Sequence, residues 1–463
     1  MQKVADHFKK KFSEHLEDLK TLVRIPSVSF VPFPPAEVKR CAEAVAKLLK
    51  KTGLENVQIL EVAGAHPYVY GESLKAPGKP TLLLYAHHDV QPPGREELWQ
   101  TPSFEPVLKP GPGGDRLYGR GTADDKAGII VHTAAVSSYL ETLGKLPVNV
   151  KVIIEGEEEI GSGHLLQFLT QYRKLLDADI LVLTDTGNLA SGVPALTVAL
   201  RGMVGIGVEV RALTKSLHSG MWGGPIPDPV LGLTKALSQL VDASGRIAIP
   251  GVLDQVRPLT SEEEVELKKL PFDETEFRKE SGMLSHSELL KEGSTVFGQL
   301  WRLSSLTVNA IEASSRKQAG NIINDLAWAK VTIRLVPDMD PKKVMGQLQE
   351  FIRSKVPWGL QVSFTEEACA GPWSTEPVGP AFEAAVAAMK KGYGVAPYMI
   401  GCGGSIPFVE PFAKALKGAP ALLIGVEDPH TNAHGENESV LVSDLYKSCL
   451  SQIYLFSEIA ARF

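Results

Sequence analysis

The chain has 463 residues and a net charge of −6, with 22% charged and 44% hydrophobic residues. This composition is typical of a soluble globular protein of several domains, and it excludes a disordered chain, a fibre and a small disulfide-stabilised protein. No basic patch dominates the sequence, so we expect no nucleic-acid partner.

Cysteine usage and hydropathy both favour a cytoplasmic protein. The four cysteines are scattered and form no CxxC pair, as expected for reduced thiols in a reducing compartment. Residues 1–20 are charged and lack the apolar core of a signal peptide. The longest apolar runs, 81–86 and 195–200, are far shorter than the about 20 residues that a membrane span needs, so we expect no membrane partner.

The first part of the chain begins with an amphipathic helix over 4–23 and then alternates between short apolar runs and helical periodicity. The predicted strands are 57–62, 81–86, 149–155 and 179–184, and the predicted helices include 126–143 and 164–176. Continuous apolar runs are typical of strands buried on both faces, which predicts a mostly parallel sheet covered by helices. The same character returns after residue 380, with a helix over 382–391, a strand over 419–426 and a closing helix over 440–460.

The segment between these two parts has predicted strands with one face that is less hydrophobic than the other. Period-two runs cover 204–210, 306–311 and 327–335, and helical patterns cover 230–241 and 341–355. This pattern predicts a smaller α+β domain whose antiparallel sheet is open on one face. We therefore expect an α/β domain in two pieces, 1–195 and 370–463, with a second domain inserted over 196–369.

Acidic and histidine residues cluster at the ends of the predicted strands, where open α/β sheets bind their ligands. His87 and Asp89 follow the strand 81–86 and share one face of the extended chain. They are suited to act as a metal ligand and as the carboxylate that orients it. A polar strand end with a hydrogen-bonded core histidine explains the same tripeptide.

Two further acidic clusters lie at similar positions. Asp124 and Asp125 stand where a helix begins, and they are also explained as ordinary acidic residues at a helix N-terminus. The run 155–159 has four carboxylates in five residues, which repel one another unless a cation or water screens them. Most acidic runs are solvated, but this one follows a buried strand and precedes a Gly-Ser turn, which favours a cation.

Asp185 ends the fourth strand, and His434 lies in a loop after the strand 421–426. Alone, each is more often a turn residue or a structural histidine. Together, two histidines and several carboxylates at strand ends have the composition of a two-metal site. Imidazole nitrogens with carboxylate oxygens suit zinc, and also cobalt or manganese. Two such ions roughly 3.5–4 Å apart require a bridging carboxylate and a bridging hydroxide.

These motifs, in this order, resemble those of the co-catalytic metallo-exopeptidases, the family of carnosinases, carboxypeptidase G, aminoacylase, acetylornithine deacetylase and succinyl-diaminopimelate desuccinylase. They are H-x-D-V-x-P from His87, D-D-K from Asp124, E-E-x-G-S from Glu158, the strand-end Asp185 and H-x-x-N-E from His434. The resemblance covers essentially the whole chain and is greatest to the carnosinase-like dipeptidases. It implies an α/β catalytic domain with a helix-covered, mostly parallel sheet, and an inserted α+β lid and dimerisation domain.

The resemblance also implies a metal ligand set. His87 and Asp185 would bind one metal, Glu159 and His434 would bind the other, and Asp124 would bridge the two. The implied cofactor is two Zn²⁺ per chain, with Co²⁺ or Mn²⁺ as alternatives.

Two more motif residues take catalytic roles by the same resemblance. Asp89 would orient the first metal-binding histidine, and Glu158 would be the general base and acid for the two-metal-bridged hydroxide. Three carboxylates and one hydroxide balance two divalent cations, as burial demands. This count leaves Glu158 uncommitted to metal, as a proton shuttle must be.

The inserted domain and the loop at 403–407 carry the residues that resemble the family's substrate-binding set. They are His218, Asn321, Arg334, Gly404 and Ser405. His218 looks like the lid histidine that reaches across a homodimer to the substrate carbonyl, and Arg334 would pair with a substrate carboxylate. Taken alone, His218 is equally an exposed strand-end residue and Arg334 a surface charge.

The chain departs from the family pattern at three places. Asn324 stands where the family usually has proline, Gly401-Cys402 replaces an Arg-Glu pair, and Ala127 separates Lys126 from its glycine. The metal ligands are unaffected. The missing acid at Cys402 leaves open how the amino group of a dipeptide would be held.

The motifs therefore predict a metal-dependent hydrolase of peptide or amide bonds, a dipeptidase or carboxypeptidase that acts on small peptides. The alternative is an N-acyl-amino-acid deacylase or desuccinylase, which would use the same metals with a different pocket. A third hypothesis is a non-catalytic, metal-stabilised binding protein. Loss of Glu158 or of a ligand would favour it, and none of these residues is lost.

Overall fold

The computed structural model describes residues 1–290, 294–317, 319–404, 406, 409–416 and 418–463. Its contacts divide the chain into two compact units. The first comprises Met1–Val198, Thr375–Ile400 and Ile406–Phe463, and the second comprises Ala199–Ser374 with Gly401–Ser405. No sequence pattern had indicated that the short segment 401–405 would leave the first unit.

In the described part of the chain, the first unit contains eight α-helices and most of the strands. Its helices are α1 (Gln2–Val23), α2 (Pro35–Thr52), α3 (Lys126–Leu143), α4 (Leu165–Gln171), α5 (Arg173–Leu176), α12 (Pro380–Tyr393), α13 (Val409–Ala415) and α14 (Val442–Arg462). Its strands are β1 (Glu55–Leu60), β2 (Tyr68–Ser73), β3 (Thr81–His87), β4 (Val107–Gly111), β5 (Gly114–Tyr118), β6 (Asn149–Glu155), β7 (Ile180–Gly187), β8 (Ala195–Leu200), β16 (Tyr398–Cys402), β17 (Ala421–Glu427) and β18 (Ser439–Leu441).

A large sheet with the strand order β1-β2-β6-β3-β7-β17-β8 forms the centre of the first unit. The middle strands β6, β3, β7 and β17 run parallel to one another, and antiparallel neighbours flank them. These middle strands are buried on both faces, which explains their continuous apolar sequences. The prediction of a helix-covered, mostly parallel sheet is confirmed.

Two details of the first unit differ from the sequence prediction. The helix expected over 164–176 is interrupted at Tyr172, whose φ of −107° is not helical, so that α4 and α5 are separate. The closing helix begins at Val442, because residues 439–441 form β18 and pair with β5. In the described part of the chain, no helix combines the length and the apolar character of a membrane span.

The second unit is an α+β domain, as predicted. Its strands are β9 (Gly202–Arg211), β10 (Leu217–His218), β11 (Ser305–Glu312), β12 (Ile322–Ile323), β13 (Leu326–Leu335), β14 (Gln361–Ala370) and β15 (Trp373–Ser374). Its helices are α6 (Ser219–Trp222), α7 (Pro229–Leu237), α8 (Ser261–Lys269), α9 (Glu274–Glu280), α10 (Val296–Arg302) and α11 (Pro341–Lys355).

A four-stranded antiparallel sheet, in the order β11-β13-β9-β14, organises the second unit. Helices α7 and α11 pack on the sheet and bury Val204, Ile206 and Val208 of β9. Glycines 205 and 207 alternate with these residues and so belong to the opposite face. The face that carries the glycines is the less hydrophobic face that the sequence predicted.

Candidate metal centre

The five residues predicted as metal ligands lie together at the carboxyl end of the sheet in the first unit. They are His87 at the end of β3, Asp124 just before α3, Glu159 in the turn after β6, Asp185 in β7 and His434 between β17 and β18. The side chain of His434 is 58% exposed, whereas the other four are at most 12% exposed. The cluster is therefore buried on the sheet side and open to solvent beside His434.

The five side chains form two groups that share Asp124. In the first group, His87 Nε2 lies 3.0 Å from Asp124 Oδ1 and 3.7 Å from Asp185 Oδ1. In the second, His434 Nε2 lies 2.9 Å from Asp124 Oδ2 and 3.2 Å from Glu159 Oε2. The ligand atoms of each group lie within 4.8 Å of one another. Each oxygen of Asp124 thus faces a different group, which is the geometry of a bridging carboxylate.

The electrostatics of the cluster favour bound cations. Burial, followed by the charge of Asp124, raises the pKa of Glu159 to about 7, and burial also raises the pKa of Asp185. Hydrogen bonds with Asp124 and Glu159 raise the pKa of His434 to about 11. Buried carboxylates this close together repel unless positive charge lies between them. Imidazole nitrogens and carboxylate oxygens in these numbers fit two divalent transition-metal ions.

Asp89 is buried beside the first group and holds two parts of the site. Its carboxylate accepts hydrogen bonds from the backbone N–H groups of Glu158 and Glu159, at 3.2 and 3.1 Å, and from Ser29 Oγ at 2.7 Å. His87 Nδ1 lies 3.1 Å from the backbone oxygen of Asp89 and 3.5 Å from its carboxylate. Although burial opposes ionisation, the contacts with His87 and Ser29 lower the pKa of Asp89.

Glu158 stands beside the ligands without joining either group. It begins the 3₁₀ turn Glu158–Ile160, and its side chain makes no hydrogen bond or ion pair within the described residues. Burial, and then the neighbouring charges of Asp185, Glu159 and Asp124, raise its pKa well above the ordinary value, while His87 opposes this shift. The carboxyl group is therefore suited to receive and release a proton.

Four of the five remaining predicted residues are described by the structure and belong to the second unit, and two of these four lie together. His218 Nδ1 accepts hydrogen bonds from the backbone N–H groups of Gly220 and Met221, at 3.1 and 3.3 Å. A histidine that accepts at Nδ1 carries its proton on Nε2, which leaves that N–H as a donor. The backbone oxygen of Asn321 accepts from the N–H of Ser219, so that Asn321 lies next to the histidine turn.

Arg334 and Gly404 are also in the second unit. Arg334 lies near the end of β13, where it pairs with Met203 of β9 and Ser305 of β11. The N–H of Gly404 donates to Cys402 Sγ at 3.3 Å. Ser405, the fifth residue that the sequence assigned to substrate binding, lies outside the described residues.

A family model described as Peptidase family M20/M25/M40 matches residues 83–453, which contain all five predicted ligands and Glu158. The chain belongs to this family. It is therefore a metallopeptidase, and the resemblance predicted from the motifs is confirmed.

Relatives of this M20 peptidase align with it over nearly their full length. The cysteinylglycine-S-conjugate dipeptidase of Corynebacterium striatum is 31% identical over 92% of this chain and 90% of the relative. Human carnosine dipeptidase 1 superposes with a TM-score of 0.87 and 29% identity, over 99% of this chain and 98% of the other. The dipeptidase Dug1p of Saccharomyces cerevisiae also gives a TM-score of 0.87, with 26% identity and the same coverage.

Two residues of this M20 peptidase hold the loops that carry the predicted ligands. The sequence prediction gave neither of them a role, although Glu438 is the last residue of the H-x-x-N-E motif. Glu438 is fully buried, and its carboxylate accepts hydrogen bonds from the backbone N–H groups of Gly121, Ala123 and Asp124, at 3.0–3.2 Å. Its other partner is Arg120, at 2.7 Å, which also donates to the backbone oxygens of Pro92 and Gly435. The pair therefore connects the segment that carries Asp124 to the loop that carries His434.

The sequence analysis also missed two other residues beside the predicted metal ligands. Gln91 donates its backbone N–H and its side-chain amide to the two oxygens of Glu159, at 3.1 and 2.7 Å. Glu427 ends β17 among the carboxylates, and burial followed by Asp124 and Asp185 raises its pKa well above the ordinary value. Glu427 could have been found from its place at a strand end, whereas the hydrogen bonds of Gln91 have no sequence signal.

Proposed function

We propose that this M20 peptidase is a two-metal dipeptidase that releases the C-terminal residue of small peptides. The observation that carries the proposal is Asp124, whose two oxygens face two separate groups of metal ligands, at 3.0 and 2.9 Å from their histidines. The names of the aligned relatives, a cysteinylglycine-conjugate dipeptidase and a carnosine dipeptidase, support the substrate class.

In this proposal the two groups hold one divalent ion each. His87, Asp124 and Asp185 bind the first ion, and Asp124, Glu159 and His434 bind the second. Zinc is the proposed metal, with cobalt or manganese as alternatives, because the donors are imidazole and carboxylate. Such a pair of ions supplies Lewis-acid polarisation of the scissile carbonyl and acidifies the attacking water.

Glu158 moves the protons of the reaction. It accepts a proton from the attacking water and then donates it to the leaving amine, which requires a carboxylate that is not a ligand and has a raised pKa. Asp89 accepts hydrogen bonds from two backbone N–H groups of the turn that carries Glu158, and it thereby holds that turn in place. It also fixes the orientation of His87.

The second unit provides the proposed substrate-binding residues. Arg334 pairs with the carboxylate of the substrate, because a guanidinium matches carboxylate geometry with two parallel hydrogen bonds. His218 donates from Nε2 to the carbonyl oxygen as negative charge develops there. Asn321, Gly404 and Ser405 complete this proposed set.

We also propose that the protein is a cytoplasmic homodimer assembled through the second unit, in which the partner copy supplies His218. None of the four cysteines, all of which are described in the structure, forms a disulfide, which agrees with a reducing compartment. Among the described strands, β11 lies at the end of its sheet and is exposed, and such an outer edge favours association with another chain.

The substrate class is tested with a panel of small molecules. Protein loaded with zinc, cobalt or manganese should hydrolyse Cys-Gly and β-Ala-His, and chelation followed by metal return should abolish and restore this activity. N-acetyl and N-succinyl amino acids should be poor substrates. If the loaded protein hydrolyses the N-acyl compounds and leaves the dipeptides intact, it is a deacylase and the proposal is wrong.

His218→Ala should lower turnover by roughly 10²- to 10³-fold, the effect of removing one donor to a developing oxyanion. Metal content should stay the same, because His218 is in neither ligand group. Mixing His218→Ala chains with Glu158→Gln chains should then restore activity in heterodimers, since one site receives an intact copy of both residues. Absence of recovery in verified heterodimers would contradict the shared site, and so would full activity of a monomer.

A further inference from the structure

The loop that carries His434 is held in an unusual backbone conformation. Asn432, His434 and Asn437 have positive φ angles of 55°, 62° and 64°. Residues other than glycine are uncommon at such angles, and the conformation persists only where the surrounding contacts hold it. The position of the His434 ring therefore depends on the contacts of its loop.

Asn437 joins this loop to the segment 91–100 of the first unit. Its side-chain oxygen accepts a hydrogen bond from the backbone N–H of Gln100 at 2.7 Å. Its side-chain amide donates to the backbone oxygen of Leu98 at 2.9 Å. Asn437 follows His434 by three residues, so the two bonds fix the loop close to the ligand.

The same segment holds the other terminal ligand of the second group. Gln91 donates its backbone N–H to Glu159 Oε1 at 3.1 Å and its side-chain amide to Glu159 Oε2 at 2.7 Å. Glu159 Oε2 is the oxygen that lies 3.2 Å from His434 Nε2. Because both oxygens of the carboxylate are held, Gln91 fixes the one that faces the histidine.

The first ligand group is held in a different way. In the described part of the chain, no hydrogen bond of the segment 91–100 is made with His87 or Asp185. The backbone N–H of His87 instead donates to Asp125 Oδ2 at 3.2 Å, and both ligands belong to strands of the central sheet. The second group thus depends on one surface segment, whereas the first depends on the sheet.

We infer that Gln91 and Asn437 are positioning residues that set the affinity of the second metal ion and not that of the first. This inference rests on the proposed function, because it assumes that each ligand group holds one divalent ion. The two residues keep Glu159 and His434 in place before an ion arrives. Metal binding then does not have to supply the free energy that orders the loop.

The test measures the zinc content of each variant by dialysis against buffered concentrations of free zinc. Asn437→Gly removes the two hydrogen bonds, and glycine adopts the positive φ of this position freely. It should weaken the second ion by roughly 10- to 100-fold, the contribution of residues that support metal ligands, and leave the first ion unchanged. Gln91→Met keeps the backbone N–H, loses the side-chain amide and should have the same selective effect.

Two backgrounds identify the ion that is affected. In Asp185→Ala chains, which should keep only the second ion, Asn437→Gly should weaken the ion that remains. In Glu159→Ala chains, which should keep only the first ion, the same change should have no effect. The matched control is Glu436→Gln in the same loop, whose side-chain oxygen can still accept from Arg95, and it should leave both affinities unchanged.

Two further measurements distinguish positioning from a general loss of structure. Asn437→Asp keeps the acceptor for Gln100 and loses the donor to Leu98, so it should recover part of the affinity that Asn437→Gly loses. Turnover of Asn437→Gly should return close to the wild-type value at saturating zinc, because no reacting group has changed. If Asn437→Gly does not fold, Asn437→Asp and Gln91→Met decide by the same zinc measurement.

The outcomes separate this inference from the proposed function. A wild-type protein that binds no zinc contradicts the proposed function itself. A wild-type protein that binds two ions, with both affinities unchanged in Asn437→Gly and Gln91→Met, overturns only the role of these two residues. Equal weakening of both ions, together with a lower melting temperature of the metal-free protein, would mean that the contacts only stabilise the fold and would also overturn it.

Discussion

Glu158→Gln should lower turnover by at least about 100-fold, the usual contribution of a general acid–base residue. Glutamine preserves the size of the side chain but cannot accept the proton of the attacking water. The carboxylate of Glu158 makes no hydrogen bond or ion pair in the described structure, so its loss should break no contact that positions the ligands. Turnover and metal content are to be measured on the same preparation, and both ions should remain bound.

Neighbouring carboxylates provide the controls for Glu158. Glu159 is the next residue of the same turn, but it belongs to the second ligand group. Glu159→Gln should therefore release a metal ion, whereas Glu158→Gln should not. Glu436→Gln removes a partly exposed carboxylate from the His434 loop, where it pairs with Arg95, and should leave turnover almost unchanged. Near-normal turnover of Glu158→Gln, or loss of metal from it, would show that Glu158 is not the proton shuttle.

Asp124→Ala should weaken the binding of both metal ions, whereas Asp185→Ala and Glu159→Ala should each weaken one. The difference follows from Asp124 having an oxygen in each ligand group. Even residues that only support a ligand typically contribute 10- to 100-fold to metal affinity, so removal of the shared ligand should cost at least about 100-fold for each ion.

Metal content after dialysis at a fixed, low concentration of free zinc measures this effect. A paired-metal site binds two ions, so the wild type should retain two ions per chain. The Asp185 and Glu159 variants should each retain about one ion, and the Asp124 variant should retain close to none. A circular dichroism spectrum checks that each variant is folded. An Asp124 variant that keeps one tightly bound ion would exclude a shared carboxylate.

Much of the first unit was predictable because its strands are buried on both faces. Continuous apolar runs predicted the strands β3, β6, β7 and β17. Because these strands are parallel, their carboxyl ends lie at one edge of the sheet. Polar residues at those ends, such as His87 and Asp185, could therefore be grouped before their distances were known. The interruption at Tyr172 and the short β18 were not predictable, since tertiary pairing rather than local periodicity determines them.

The supporting contacts of the site were much less accessible to sequence analysis. Arg120 and Glu438 are 318 positions apart, and only the fold shows that they form a buried pair. The hydrogen bonds from Gln91 to Glu159 are likewise visible only in the folded structure. The sequence indicated which residues are candidates for the chemistry, because their types are unusual at strand ends. It could not indicate which ordinary polar residues hold them.

A crystal structure of the zinc-loaded protein, with anomalous scattering recorded at the zinc edge, tests the shared metal centre most directly. Two anomalous peaks roughly 3.5–4 Å apart are expected, as in other two-metal sites. One peak should lie beside His87 and Asp185, the other beside Glu159 and His434, with Asp124 contacting both. A single peak, or two peaks that do not share Asp124, would contradict the two-metal mechanism.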